Sequence, residues 1–130
     1  MDKLFIISQE WTDIITIDNN KIQRKNHDDK GIVNKLDEEL VIIWDKWGEE
    51  HFVKNNNIYF KKDIKYFHVS IENKLFNDKC IIYPDSTIKS KNYEYNGNIN
   101  FINKKIEINW YNSKTEIYYH SNYGNNFISE

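Results

Sequence analysis

The sequence predicts an all-β protein, a compact antiparallel sandwich or barrel built from two tandem copies of one β-repeat. Three observations lead to this prediction. The 130-residue chain has no alanine and only four leucines but many isoleucines, tyrosines and phenylalanines, which favours strands over helices. No long stretch has a helical period of apolar residues. Short apolar runs recur at close spacing between turn-forming residues, and this spacing is typical of antiparallel sheets.

The chain contains an internal duplication. A shift of 66 positions aligns residues 15–54 with residues 81–120 without a gap. Matches at Trp, Gly and Glu are not expected from the chain's bias toward Ile, Asn and Lys, so the alignment indicates two copies of one unit. The nine identical pairs are Ile15/Ile81, Ile22/Ile88, Lys25/Lys91, Asn26/Asn92, Gly31/Gly97, Asn34/Asn100, Ile42/Ile108, Trp44/Trp110 and Glu50/Glu116. We predict a single domain of residues 1–130 that holds both copies, since this length supplies one core.

The elements follow in the same order in each copy. Turn-forming residues stand at 18–20 and 29–31 in the first copy and at 84–86 and 95–97 in the second, which predicts turns at these places. The predicted strands are residues 21–27, 32–36, 40–45 and 50–54, with counterparts at 87–93, 98–102, 106–111 and 116–120. The linking segment, residues 58–71, adds two more, for about ten strands in all.

Two tryptophans are predicted to lie in the core. Apolar residues alternate along 106–110, so Ile106, Ile108 and Trp110 share one face of a strand. The duplication places Leu40, Ile42 and Trp44 on the equivalent face. Aromatic burial dominates protein cores, which favours a structural role for Trp44, Trp110, Ile42 and Ile108.

A glutamate follows each core tryptophan six residues later. If residues 45–49 form a hairpin loop, Trp44 pairs with Glu50, and Trp110 pairs with Glu116 in the second copy. Two interpretations remain open. Each carboxylate could accept the indole N–H, which would otherwise be buried without a partner. Alternatively, the ring and the carboxylate could bind a sugar by stacking and hydrogen bonding.

Trp47 differs from the other tryptophans because it lies within the predicted loop and its counterpart is Ser113. The repeated architecture therefore does not need this ring. Two interpretations remain open: the ring contacts a ligand or a partner from the turn tip, or it folds back onto the sheet. The candidate ligand-binding residues are Trp47, Glu49, Glu50, Asn26, Glu116 and Asn92.

Composition argues against several classes of function. The formal net charge is −2 and Arg24 is the only arginine, so the sequence does not favour nucleic acid as a partner. No apolar run approaches the length of a membrane span, and no stretch has the form of a signal peptide. A lone cysteine, Cys80, fits a reducing compartment. We therefore expect an intracellular, cytoplasmic protein, and assembly of identical copies is left open.

The sequence predicts neither a cofactor nor a metal. The four histidines lack ligand spacing, and no phosphate-binding loop, nucleophile elbow or dinucleotide fingerprint is present. No catalytic residue is assigned. An enzyme that uses Glu50 and Glu116 as acid and base ranks third among the hypotheses, because the sequence gives no separation between the two carboxylates.

The repeated hairpin has the form L-x-I-x-W-x-x-W-x-x-E-x-F after an N-x-x-x-x-G turn. The first copy carries it as Leu40, Ile42, Trp44, Trp47, Glu50 and Phe52 after Asn26 and Gly31, and the second keeps Ile106, Ile108, Trp110, Glu116 and Tyr118. This unit resembles the small β-repeat modules found beside glycosyltransferases in capsule and lipopolysaccharide gene clusters and in giant DNA viruses. The resemblance covers about 80 residues and implies a role in glycan assembly or recognition.

Two hypotheses from different classes follow. The first is a non-catalytic module that binds carbohydrate or assists a separate glycan-modifying enzyme. The second is a small viral or bacterial interaction protein that binds a host or defence protein through its aromatic loops. A genomic neighbour that encodes a glycosyltransferase would favour the first hypothesis.

Overall fold

The computed structural model describes residues 2–75, 77–111, 113–121 and 125–130, with the backbone alone at position 35. These residues form fourteen strands and no helix, which confirms the all-β prediction. No helix among them is long and apolar enough to cross a membrane. The chain divides into two compact units, a first unit Met1–Ile64 and a second unit Lys65–Glu130, where one domain was expected.

The first unit is a closed barrel of seven strands that follow one another in chain order. Six neighbouring pairs are antiparallel. A parallel pair between the first and last strands closes the barrel, with Phe5 opposite Ile58. The strands are β1 Asp2–Ile7, β2 Thr12–Asp18, β3 Lys21–Arg24, β4 Lys30–Lys35, β5 Glu39–Trp44, β6 Gly48–Asn55 and β7 Ile58–Lys61.

The second unit is also a closed barrel of seven strands. It too is closed by a parallel pair between its first and last strands, with Ser70 opposite Asn126. The strands are β8 Phe67–Glu72, β9 Asn77–Ile82, β10 Thr87–Ser90, β11 Asn96–Ile102, β12 Lys105–Trp110, β13 Thr115–His120 and β14 Asn126–Ser129. The two barrels therefore share one topology, as expected for two copies of a β-repeat.

The matching strand order extends the duplication to all fourteen strands. It also corrects the alignment of the two copies at its N-terminal end, before the turn that follows β2 or β9. The hairpin after β2 turns through Asn19 and Asn20, both with positive φ, and the corresponding turn after β9 is one residue longer. Equivalent residues are thus 65 positions apart before this turn and 66 after it. Ile15 is equivalent to the buried Cys80 rather than to the partly exposed Ile81.

Each core tryptophan is buried in its own unit. Trp44 and Trp110 are buried, at 3% and 8% exposure, and each ends a strand whose inward-facing residues are apolar. The buried residues on these faces are Leu40 and Ile42 in the first unit and Ile106 and Ile108 in the second. Because β-strand side chains alternate, the inward position of the tryptophan also determines which other residues of the same strand face inward.

Two glycines that the sequence assigned to turns lie inside strands. Gly31 is in β4 and Gly97 is in β11. A Cβ at position 31 would stand 2.4 Å from the carbonyl oxygen of Ile43, and one at position 97 would stand 2.5 Å from that of Asn109. Glycine is therefore needed here for the close approach of the neighbouring strand and not for a turn.

The predicted hairpin register is wrong by two residues. Trp44 pairs with Gly48 and Ile42 pairs with Glu50, so three residues connect the strands where five were expected. Gly48 has a φ of 82°, a conformation that glycine adopts without steric cost and that lets the chain turn early. The second copy has the same shift, with Ile108 opposite Glu116.

Candidate functional site

A hydrogen bond joins each core tryptophan to its glutamate. The Trp44 indole Nε1 donates to Oε1 of Glu50 at 2.7 Å, and Trp110 Nε1 donates to Oε1 of Glu116 at 2.5 Å. The contact runs diagonally across the hairpin, since the two residues are not opposite each other in the ladder. These bonds support the structural interpretation of the repeated pair, in which the carboxylate satisfies a buried indole N–H.

Glu50 has further partners in the first unit. Its Oε2 accepts from Ser8 Oγ at 3.1 Å and from Lys61 Nζ at 2.8 Å. Ser8 follows β1, and Lys61 is the last residue of β7. The carboxylate therefore links three separate parts of one barrel, and its charge is balanced by the lysine.

Glu116 has a different set of partners in the second unit. The Tyr118 hydroxyl donates to its Oε1 at 2.9 Å and Asn73 Nδ2 donates to its Oε2 at 2.9 Å. Burial is the main reason that the pKa of Tyr118 is raised, so its hydroxyl stays protonated as a donor. Within the described residues, Glu116 has no lysine or arginine within ion-pair distance.

The structure contains two buried carboxylates that the sequence analysis missed. Asp13 and Asp78 occupy equivalent places in β2 and β9, and they are 0% and 4% exposed. The signal was present in the sequence, because the residues align when the copies are offset by 65 positions. An ungapped shift of 66 hides the match, since it ignores the extra residue in the turn after β9.

The cation that pairs with Asp13 is the arginine of the first unit. Arg24 Nε lies 2.9 Å from Oδ2 of Asp13, and Nη1 lies 3.4 Å from Oδ2 of Asp29. Its guanidinium carbon is 3.8 Å from the ring centroid of Trp11, within cation–π distance. Trp11, which the sequence left outside the repeat, also packs edge-on against Trp44 at 6.1 Å.

Trp47 is 69% exposed, and its indole N–H donates to Oδ1 of Asp29 at 2.9 Å. Asp29 also lies 3.1 Å from Nδ1 of His27. A hydrogen bond from the ring edge limits rotation of the side chain and leaves most of its surface in solvent. The turn after β5 therefore presents an oriented aromatic ring.

The remaining candidates are spread over the chain. Glu49 is exposed, with its carboxylate 3.0 Å from Nε2 of His51. Nδ1 of this histidine lies 3.0 Å from Glu39, and hydrogen bonds to Glu39 and then Glu49 raise the pKa of His51. Asn26 donates both its backbone and side-chain N–H to Asp13. Asn92, in the second unit, is exposed.

The six candidates therefore do not form one site. In the first unit, a continuous series of contacts connects Asn26, Asp13, Arg24, Asp29 and Trp47. In the same unit, Glu50 contacts the core tryptophan and Glu49 contacts a histidine. Glu116 and Asn92 lie in the second unit, where they line different cavities.

The second unit has a cavity of about 590 Å³ whose lining includes Asp78, Tyr95 and Ser113, the equivalents of Asp13, Asp29 and Trp47 in the first unit. Its described lining consists of three aromatic residues, three acidic residues and two small polar residues. Tyr95 and Tyr111 are about half exposed, and the ring of Tyr95 lies 6.3 Å from that of Trp110. The described lining residues are Tyr95, Trp110, Tyr111, Asp78, Glu94, Glu116, Asn96 and Ser113.

Comparison with known proteins adds no family to these observations. No protein-family model, curated protein or solved structure matches the chain.

Proposed function

We propose that this protein is a non-catalytic module that binds carbohydrate and works with a separate glycan-modifying enzyme. The observation that carries the proposal is Trp47, a tryptophan that is 69% exposed and whose ring is oriented by a hydrogen bond to Asp29. A ring that is both exposed and oriented loses little conformational entropy when a ligand stacks on it. The repeated unit's resemblance to modules near glycosyltransferases points to the same class of ligand.

The chemistry around Trp47 suits a sugar. The C–H face of a pyranose packs on an aromatic ring, and its hydroxyls donate to carboxylates and accept from N–H groups. Asp29 and His27 supply such groups beside the ring. An open turn buries only part of a sugar, so affinity is expected between about micromolar and millimolar.

The test is an NMR titration of the full chain with oligosaccharides selected on a glycan array. Trp47→Ala should abolish the shifts at the turn and leave the spectrum folded, whereas Trp47→Phe should keep part of the affinity because it retains a stacking face. Tyr66→Ala is the matched control, since Tyr66 is also exposed but lies in the second unit.

Two results would count against the proposal. One is a glycan array with no binder, and the other is a sugar that binds Trp47→Ala as tightly as the wild type. In either case the interaction-protein hypothesis becomes the better explanation of the exposed ring.

A further inference from the structure

We propose that the acidic aromatic cavity of the second unit binds an organic cation through an ammonium or guanidinium group. Three carboxylates and three aromatic rings line the cavity, and none of its described lining residues is a lysine, an arginine or a histidine. Carboxylates attract a cation, while tyrosine and tryptophan rings stabilise it through their negative faces. A neutral ligand can stack on the rings and donate hydroxyls, but it gains neither the charge attraction nor the cation–π contact, and an anionic ligand is repelled by the carboxylates.

The first unit shows which group belongs in this place. Ile15 stands opposite Arg24 in β2–β3, and the equivalent Cys80 stands opposite Ser90 in β9–β10. At this inward-facing position the first barrel has an arginine and the second has a serine. In the first unit, the guanidinium spans from Asp13 to Asp29.

The corresponding carboxylate in the second unit has no such partner. Asp78 accepts a hydrogen bond from the Ser90 hydroxyl and one from the Lys79 backbone N–H. Within the described residues, no lysine, arginine or histidine nitrogen lies within 4.0 Å of it. A carboxylate that is 96% buried without a counter-charge is costly. A bound cation would reduce this cost.

The cavity is also large enough for the proposed ligand. Serine is shorter than arginine by several atoms, and Asp78, to which Ser90 donates, lines the cavity. The cavity volume of about 590 Å³ is within the range of small-molecule sites. Tyr95 replaces the Asp29 of the first unit and is half exposed, so a cation can enter from solvent beside the ring. An amino sugar and a simple guanidinium compound both carry the required positive charge. The amino sugar as ligand rests on the proposed carbohydrate function, whereas the guanidinium compound does not.

The experiment is an NMR titration of the full chain at constant ionic strength with three probes. The probes are glucosamine, its neutral relative N-acetylglucosamine, and methylguanidinium. Glucosamine and methylguanidinium should shift amides of residues 94–96 and 110–111 with dissociation constants in the millimolar range, about 10-fold or more below that of N-acetylglucosamine. Binding by glucosamine alone would identify an amino sugar, and binding by methylguanidinium alone would identify a simple guanidinium.

Two variants test the mechanism. Ser90→Arg places a cation beside Asp78, which accepts from the Ser90 hydroxyl and lines the cavity, so it should abolish binding of the cationic probes. The control Ser129→Arg adds the same charge in β14, which contributes no residue to the described lining. Glu94→Gln changes an exposed side chain without threatening the fold and should weaken cation binding several-fold. Trp47→Ala should have no effect, which separates this site from the proposed carbohydrate site.

The proposal is overturned if N-acetylglucosamine binds as tightly as glucosamine, or if neither cation binds. It is equally overturned if Glu94→Gln leaves the affinity for both cations unchanged.

Discussion

Replacing either strand glycine by alanine tests the fold most directly. A Cβ at Gly31 would lie 2.4 Å from the Ile43 carbonyl oxygen and 3.0 Å from the Trp44 Cα, and the distances at Gly97 are 2.5 and 3.0 Å. These obstacles are backbone atoms, which cannot rotate away as a side chain can. Overpacking of this kind costs up to about 3 kcal/mol, and alanine returns about 0.5 kcal/mol by restricting the unfolded chain.

We therefore expect Gly31→Ala and Gly97→Ala each to lower the free energy of unfolding by about 2.5 kcal/mol. In a unit of this size, that corresponds to a fall in melting temperature of about 10–20 °C. Gly48→Ala is the matched control. Nothing lies within 4 Å of its added Cβ, but its φ of 82° is unfavourable for alanine, so the expected cost is only about 1 kcal/mol.

Urea denaturation followed by residue-resolved NMR measures these values, because amide signals report on each barrel separately. The Gly31 variant should lower the midpoint of the first unit's signals, and the Gly97 variant should lower that of the second unit's signals. The reasoning fails if either strand variant is as stable as the wild type, or if Gly48→Ala proves the most damaging of the three.

Three further predictions concern single side chains. Trp44→Ala and Trp110→Ala should each cost about 3–5 kcal/mol in urea denaturation because both rings are buried, whereas Trp47→Ala should cost less than about 1 kcal/mol; equal costs would contradict the assignment of inside and outside. His51 should titrate above its usual pKa of 6.5 in an NMR pH series, so its stabilising contribution is complete below about pH 6.5 and is lost as the pH rises through the raised pKa. A normal midpoint would refute its glutamate contacts. Burial raises the pKa of the Cys80 thiol to about 12, so a thiol reagent should label it only after unfolding; rapid labelling of the folded protein would show that the site is open.

The sequence predicted the features that follow from local pattern. The absence of alanine and the scarcity of leucine predicted the all-β class. Period-two alternation placed Trp110 inside, and the duplication extended this placement to Trp44. The matched positions of tryptophan and glutamate revealed the duplication. These features needed no knowledge of distant contacts.

The features that the sequence did not predict depend on long-range geometry or on single backbone angles. Barrel closure joins β1 to β7 across about 50 residues, and a parallel pair has no turn signature between its strands. The hairpin register depends on the positive φ of Gly48, which shortens the turn. The Asp13–Asp78 match was lost because one extra residue in a turn changes the offset between the copies.

Three connected residues of the first unit, Arg24, Asp29 and Trp47, are all replaced in the second unit. In the first unit, Arg24 binds Asp29, and Asp29 in turn accepts the Trp47 N–H. All three positions differ in the second unit, which has Ser90, Tyr95 and Ser113 in their place.

Each of these changes removes the reason for the next one. Without the arginine, an aspartate at the second position has no cation, and without the aspartate, a tryptophan at the third has no acceptor for its N–H. The tryptophan–glutamate pair is kept in both barrels, because it satisfies a buried indole N–H and does not depend on these three residues. The same scaffold thus holds an arginine between two aspartates in one copy and a cavity lined by tyrosines and carboxylates in the other.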